Sequence, residues 1–238
     1  MSEIKAVLFD LGGTLISGDG FAEASGRTLR RIAGLEHDCS GGERAARAMR
    51  TAFASAGAEF FARPFYLHRD LFAAVAAAAL RELGVEPTAA RLDVFEQLMA
   101  AAITESAPLR EGVHETLREL RARGLHLGMV SNADEAHLRP LVAGAQLEPL
   151  FDSLLSSEAA GSCKPDQAIF TEALRRAGCR PEQALFVGDM LPFDIAGANR
   201  AGMRSALILD GFEVATTTCN ARPDHIIRAI PEVLALLT

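Results

Sequence analysis

The chain has 238 residues, 49% of them hydrophobic, and a net charge of −7 at pH 7. That size and apolar content suit one large domain, or a core domain carrying an insertion, and the acidic balance excludes a nucleic-acid partner held through its phosphates. A membrane partner is not expected either: the alanine-rich run Leu71 to Leu80 is far shorter than the roughly 20 apolar residues that a span requires.

Met1-Ser2-Glu3 leads straight into a strand-like run without a basic segment and an apolar h-region, so the expectation is a cytoplasmic protein without a secretory signal. The run Ile4 to Phe9 is continuously apolar at its centre, as buried parallel strands are. From Gly20 to about Pro108 helical spacing takes over, in Phe21 to Gly34, Gly42 to Phe61, Leu67 to Leu83 and Thr88 to Ile103, with Gly84, Pro87 and Pro108 as punctuation. This reads as an all-helical block inserted after one strand.

Beyond Pro108 strands and helices alternate. The spacing predicts a helix over Val113 to Arg123, a strand over Leu125 to Val130, a helix over Glu135 to Ala143 and a short apolar piece at Phe151 to Leu155. A helix over Gln167 to Ala177, a strand over Ala184 to Val187, a helix over Asp194 to Ala201 and a strand over Ser205 to Leu209 follow. Such alternation predicts an α/β fold with a doubly wound parallel sheet. The domains expected are a Rossmann-like core from 1–18 and 108–238 and a small helical cap from 19–107.

In doubly wound sheets ligands bind at the carboxyl ends of the strands, and there the polar signals collect. The first strand ends in Asp10, the second in Ser131-Asn132, and the one at Ala184 to Val187 runs into Gly188-Asp189. Lys164-Pro165-Asp166 stands just before a helix, and Asp194 follows Asp189 at a spacing that lets both carboxylates face one pocket. Lys164 is one of two lysines, with Lys5, against 22 arginines, so few residues can supply a compact ammonium. Cys39, Cys163, Cys179 and Cys219 show neither CxxC nor Cys/His spacing and are expected to be reduced packing residues.

Taken in this order, the motifs resemble those of the haloacid dehalogenase superfamily, over essentially the whole chain. Asp10 to Leu15 is similar to the family's first motif, Ser131 to its second, Lys164 to its third, and Gly188-Asp189 through Asp194 to its fourth. The helical insertion resembles the family's cap. The resemblance implies a hydrolase, phosphatase-like, acting on a small phosphorylated substrate with Mg²⁺ as cofactor. The metal would be held by Asp10, the main-chain carbonyl of Gly12 and Asp189, with Asp194 either an additional metal ligand or the group that orients metal waters and Lys164. Asp10 would be the nucleophile. Lys164 would balance charge on the transferred phosphoryl group, which Ser131, Asn132 and the neighbouring amides would hold. Thr14 would support Asp10.

Gly12 departs from the family pattern. The phosphatases carry there a second aspartate that protonates the leaving oxygen, a role worth about 10²- to 10⁴-fold in rate. Its loss leaves open a slow phosphatase, one that prefers acyl, aryl or glycosyl phosphates, or one that borrows an acid from the cap, where Asp19, His68 and Asp70 stand. Two alternatives follow: a metal-independent 2-haloacid dehalogenase-like hydrolase, or a weakly catalytic phosphate-binding or regulatory protein. A phosphonate-cleaving relative would need a cap lysine, and the insertion has none. Plainer readings stand beside these: Asp10 as a turn cap, Ser131 and Asn132 as helix caps, Lys164 as a surface lysine, Asp194 as an N-cap. Arg63 to Arg69 either faces the substrate or is an interhelix loop with Phe65 and Tyr66 anchored in the cap core.

Overall fold

The computed structural model describes residues 3–105, 108–209 and 220–237. The chain forms two compact units, one from Met1–Gly18 with Pro108–Thr238 and one from Asp19–Ala107. In chain order the first unit contains β1 (Ala6–Phe9), and the second contains α1 (Asp19–Ile32), α2 (Gly41–Phe61), α3 (His68–Glu82) and α4 (Ala89–Glu105). The first unit resumes with α5 (Val113–Ala122), β2 (His126–Ser131), α6 (Glu135–Gly144), β3 (Ser153–Ser156), α7 (Ser157–Ala160) and α8 (Gln167–Ala177). It closes with β4 (Ala184–Gly188), α9 (Ala196–Arg200), β5 (Arg204–Ile208), β6 (His225–Ile227) and a 3₁₀ segment, Ile230–Leu237.

All the strand pairs are parallel, and among the described residues the sheet has six strands in the order β3-β2-β1-β4-β5-β6. The direction of winding therefore reverses between β1 and β4, the switch point where such sheets open a crevice at their carboxyl ends. β1 is wholly buried because it is the middle of the sheet and covered on both faces. One face packs Leu8, Val130 and Phe186 against Ile169, Phe170 and Ala173 of α8. Gly197 permits this packing, since a Cβ there would run into the Phe170 ring.

Two differences from the sequence expectation concern the last third of the chain. The helix expected from Asp194 begins as a wider π turn, Leu191–Ile195, and only then becomes α9. Pro192 sits at the start of that turn, where its missing N–H costs nothing because first-turn N–H groups have no partner inside the helix. The sixth strand was not expected, because three residues with Ile226 60% exposed carry no buried pattern.

In the unit Asp19–Ala107, α2 packs on α1 and α3, and α4 on α1 and α3. Leu29, Ala45, Met49, Leu71, Val75, Leu80, Phe95 and Met99 are buried between them. A run of ring contacts passes from Phe21 and Phe53 through Phe72 and His68 to Tyr66 and Phe60. Of the Arg63 to Arg69 segment, Tyr66 is buried and anchors the loop, whereas Phe65 is exposed.

Candidate active site

Register explains how residues distant in sequence meet. Phe9 pairs with Met129 on one side and Val187 on the other. Asp10 therefore stands beside Val130 and Gly188, with Ser131 and Asp189 one residue further along their strands. The Asp10 N–H donates to the Val187 carbonyl at 2.9 Å, so β1 keeps its pairing up to Asp10. The turn then folds back: Leu15 and Ile16 both donate to the Leu11 carbonyl, and Gly13 donates to that of Ile16.

The two glycines of this turn differ in kind. Gly13 has φ +83°, and a Cβ on it would collide with the Asp189 carboxylate, so both backbone angle and space demand glycine. Gly12 is exposed, has no positive φ, and a Cβ there would meet nothing within 4 Å. Nothing steric keeps a side chain from position 12. Its carbonyl accepts no hydrogen bond from the protein among the described residues, while Leu11 and Gly13 on either side have theirs engaged.

Lys164 lies at the centre, 3% exposed, which disposes of a surface role. Its Nζ donates to Asp10 Oδ1 at 2.6 Å and to Asp194 Oδ1 at 2.7 Å. Burial alone would lower its pKa; Asp10 and Asp194 outweigh that and hold it well above the ordinary lysine range, so it stays charged. Asp194 also accepts the Met190 N–H on Oδ2 at 3.0 Å, and Gly188 makes its close approach possible. Asp194 is not an N-cap, since those positions fall to Met190 for the π turn and Ile195 for α9; it grips the ammonium and fixes the loop after β4.

Asp10, Asp189 and Asp194 each offer an oxygen within 4.8 Å of the others. Burial pushes the Asp10 carboxyl up to about 6 despite Lys164. Asp189 goes up to about 8, first through burial and then through repulsion by Asp10 and Asp194. With Lys164 as partner, the three ionised carboxylates would leave two negative charges in excess. A divalent cation with oxygen ligands fits that donor set and that charge.

Other expectations are relocated. The Thr14 hydroxyl donates to Asp189 Oδ1 at 3.3 Å, so it supports that carboxylate instead of Asp10. Asn132 does not cap a helix: its amide donates to the Lys164 carbonyl at 3.0 Å and accepts the Lys164 N–H at 2.7 Å, like a strand partner. Its side chain thereby seats the lysine, a role that the sequence reading, which set it against the substrate, missed. Ser131 is the buried last residue of β2, and the N-cap position of α6 belongs to Asp134. Asp70 is exposed in the first turn of α3; the side chain of Asp19, like Cys219, lies outside the described residues. Cys39, Cys163 and Cys179 are free thiols.

A parallel sheet of order 3-2-1-4-5-6 with carboxylates and a lysine at its switch point defines a class, and the family model of haloacid dehalogenase-like hydrolases matches residues 4–202. The chain belongs to that family. Among curated proteins it is 38% identical over 128 residues to haloacid dehalogenase-like hydrolase domain-containing protein 3 of Homo sapiens, covering 53% of this chain and 51% of that one. The chain thus spans about half the length of the curated relatives it matches first. It is also 35% identical over 218 residues to glyceraldehyde 3-phosphate phosphatase of Methanopyrus kandleri, covering 87% of this chain and 85% of the relative. A HAD-hydrolase from Bacillus subtilis bound to magnesium superposes with a TM-score of 0.80 at 22% identity, each chain fully covered. An L-2-haloacid dehalogenase from Xanthobacter autotrophicus does so at 0.75 and 22%, covering 98% of both. At those identities the likeness is one of fold.

Proposed function

We propose that this protein is a Mg²⁺-dependent phosphatase of a small phosphorylated metabolite that works through an aspartyl-phosphate on Asp10. The observation that carries the reading is the meeting of Asp10, Asp189 and Asp194 within 4.8 Å of one another, with only the buried Lys164 ammonium, bound to Asp10 and Asp194, to balance them among the described residues. Displacement of halide from carbon by a carboxylate has no need of that surplus of buried negative charge, whereas a phosphate dianion approached by a carboxylate needs a cation between them. The phosphatase names among the relatives, with glyceraldehyde 3-phosphate and phosphoglycolate as substrates, support the same class.

When bound, Mg²⁺ supplies charge neutralisation between the carboxylate and the phosphate; Asp10, Asp189 and the Gly12 carbonyl would hold it, with Asp194 beside them. Asp10 attacks phosphorus, the bond to the leaving oxygen breaks, and Lys164 offsets charge on the phosphoryl oxygens. Ser131 and the amides after β2 hydrogen-bond the same group, and water then cleaves the acyl phosphate to regenerate Asp10. Asn132 acts through Lys164.

The deciding assay is phosphate release from aryl, acyl, sugar and carboxylate-bearing phosphates with Mg²⁺ and with chelator. Turnover with Mg²⁺ is expected, and it is expected to vanish in Asp10→Asn, whose amide cannot attack. Chloride release from a 2-haloacid in chelator, without phosphate release, would transfer the reading to the dehalogenase branch, which the bare Gly12 side chain also suits.

A further inference from the structure

The turn that follows the nucleophile contains two adjacent glycines, and a Gly-Gly pair has the greatest backbone freedom a dipeptide can have. Something must hold it, and the residue in place is Arg110. Its Nε and Nη2 both donate to the Gly13 carbonyl, at 3.2 and 2.5 Å. Its main-chain N–H donates to the Leu15 carbonyl at 2.9 Å. One residue therefore grips the turn at two carbonyls on either side of Thr14.

The anchoring point is itself fixed. Leu109 forms an antiparallel bridge with Ile16, and the Ser17 N–H donates to the Pro108 carbonyl at 3.0 Å. The segment by which the chain returns to the first unit thus lies against the segment by which it leaves. Arg110 is carried on that pair and reaches back to the turn. A guanidinium fork on one carbonyl is charge-assisted and directional, and a lysine would replace it with a single mobile donor.

We propose that Arg110 is a positioning residue that locks the peptide between Gly13 and Thr14 and so sets the orientation of the Asp10 turn. This rests on Asp10 being the phosphoryl acceptor. Fixing Gly13 aligns the loop on which Gly12 sits and places Thr14 for its hydrogen bond to Asp189. Loss of the fork leaves the chemistry's groups present but poorly aimed, and a misplacement of about 1 Å can cost 10²-fold in rate.

Two variants test this. Arg110→Met keeps the apolar stem without donors, and Arg110→Lys keeps the charge without the fork. Hydrogen exchange of the segment from residue 11 to 17 is expected to quicken in Arg110→Met by about tenfold or more, with exchange in β4 and β5 unchanged. On an aryl phosphate, kcat is expected to fall about 10- to 100-fold with KM within about threefold, Arg110→Lys recovering part of both effects. Unchanged exchange in the segment overturns the proposal, as does an unchanged kcat, or a uniform quickening across the whole sheet in both variants. If the wild-type chain releases no phosphate from any ester, the functional reading falls, and exchange in the turn still decides whether Arg110 orders it.

Discussion

At the scale of single residues the most instructive position is Gly12. Glycine is usually explained by backbone angle or by crowding, and Gly13 next to it needs both explanations. Gly12 needs neither: it is exposed, its φ is ordinary, and the space beyond its Cα is open. The missing side chain is therefore a chemical choice and not a steric one, and it can be reversed. Gly12→Asp is expected to fold as the parent does and to raise kcat on alkyl phosphates, whose leaving oxygens need a proton, by up to about 10²- to 10⁴-fold. On an aryl phosphate with a good leaving group the gain should be small. Comparing the two substrates in parent and variant checks this; equal rate ratios on both would show that position 12 has no part in leaving-group protonation. Asn132 gives a complementary case. Its amide makes two hydrogen bonds to the backbone of Lys164, so Asn132→Ala should lower kcat by about 10- to 100-fold, as loss of a supporting partner does, with KM for the phosphate little changed. A rise in KM alone would mean that the amide contacts substrate.

At the scale of elements, what could be read from the sequence divides along physical lines. α8 was legible to the residue because its signals are local: Asp166 caps its start by accepting from Ala168, and Gly178 ends it in the left-handed conformation. β1, β2 and β4 were legible because buried central strands must be apolar and strand ends in such folds carry polar residues. β6 escaped because a short edge strand needs little burial, and the π turn at Leu191–Ile195 because nothing in a sequence period distinguishes it from the first turn of an α-helix. The candidate site divides in the same way. Asp10, Lys164, Asp189 and Asp194 could be listed from strand ends and motif order. That Lys164 bridges Asp10 and Asp194, that Thr14 serves Asp189, and that Asn132 and Arg110 hold other residues in place depends on contacts across 30 to 175 positions. Side chains that act through hydrogen bonds to distant backbone leave no periodic trace.

At the scale of the whole molecule, the site is a store of unfavourable charge whose balance a cation should change. Asp189 carries its carboxyl up to about 8 through burial and through Asp10 and Asp194, and Asp10 is raised to about 6. In the unfolded chain both groups return to ordinary carboxylate values near 4. Between those limits these two groups bind more protons in the folded protein than in the unfolded one, so their contribution to stability is greatest at the acidic end and falls as pH rises toward 8. A divalent cation removes the reason for that uptake, because it favours the ionised carboxylates directly. In chelator, the melting temperature should therefore decline from pH 6 to pH 8.5, and Asp189→Asn should flatten the decline. With Mg²⁺ at about a hundred times its Kd, binding contributes about 2.7 kcal/mol, which at about 2–4 °C per kcal/mol for a chain of this size is a rise of roughly 5–11 °C. The rise should be larger at pH 8.5, where no proton has to be displaced, than at pH 6. Thermal melts of the parent and of Asp189→Asn at both pH values, with Mg²⁺ and with chelator, measure these effects. A melting temperature indifferent to Mg²⁺ at pH 8.5 would remove the metal from the site, and with it the reason for Asp189 to stand beside the two buried carboxylates that Lys164 bridges.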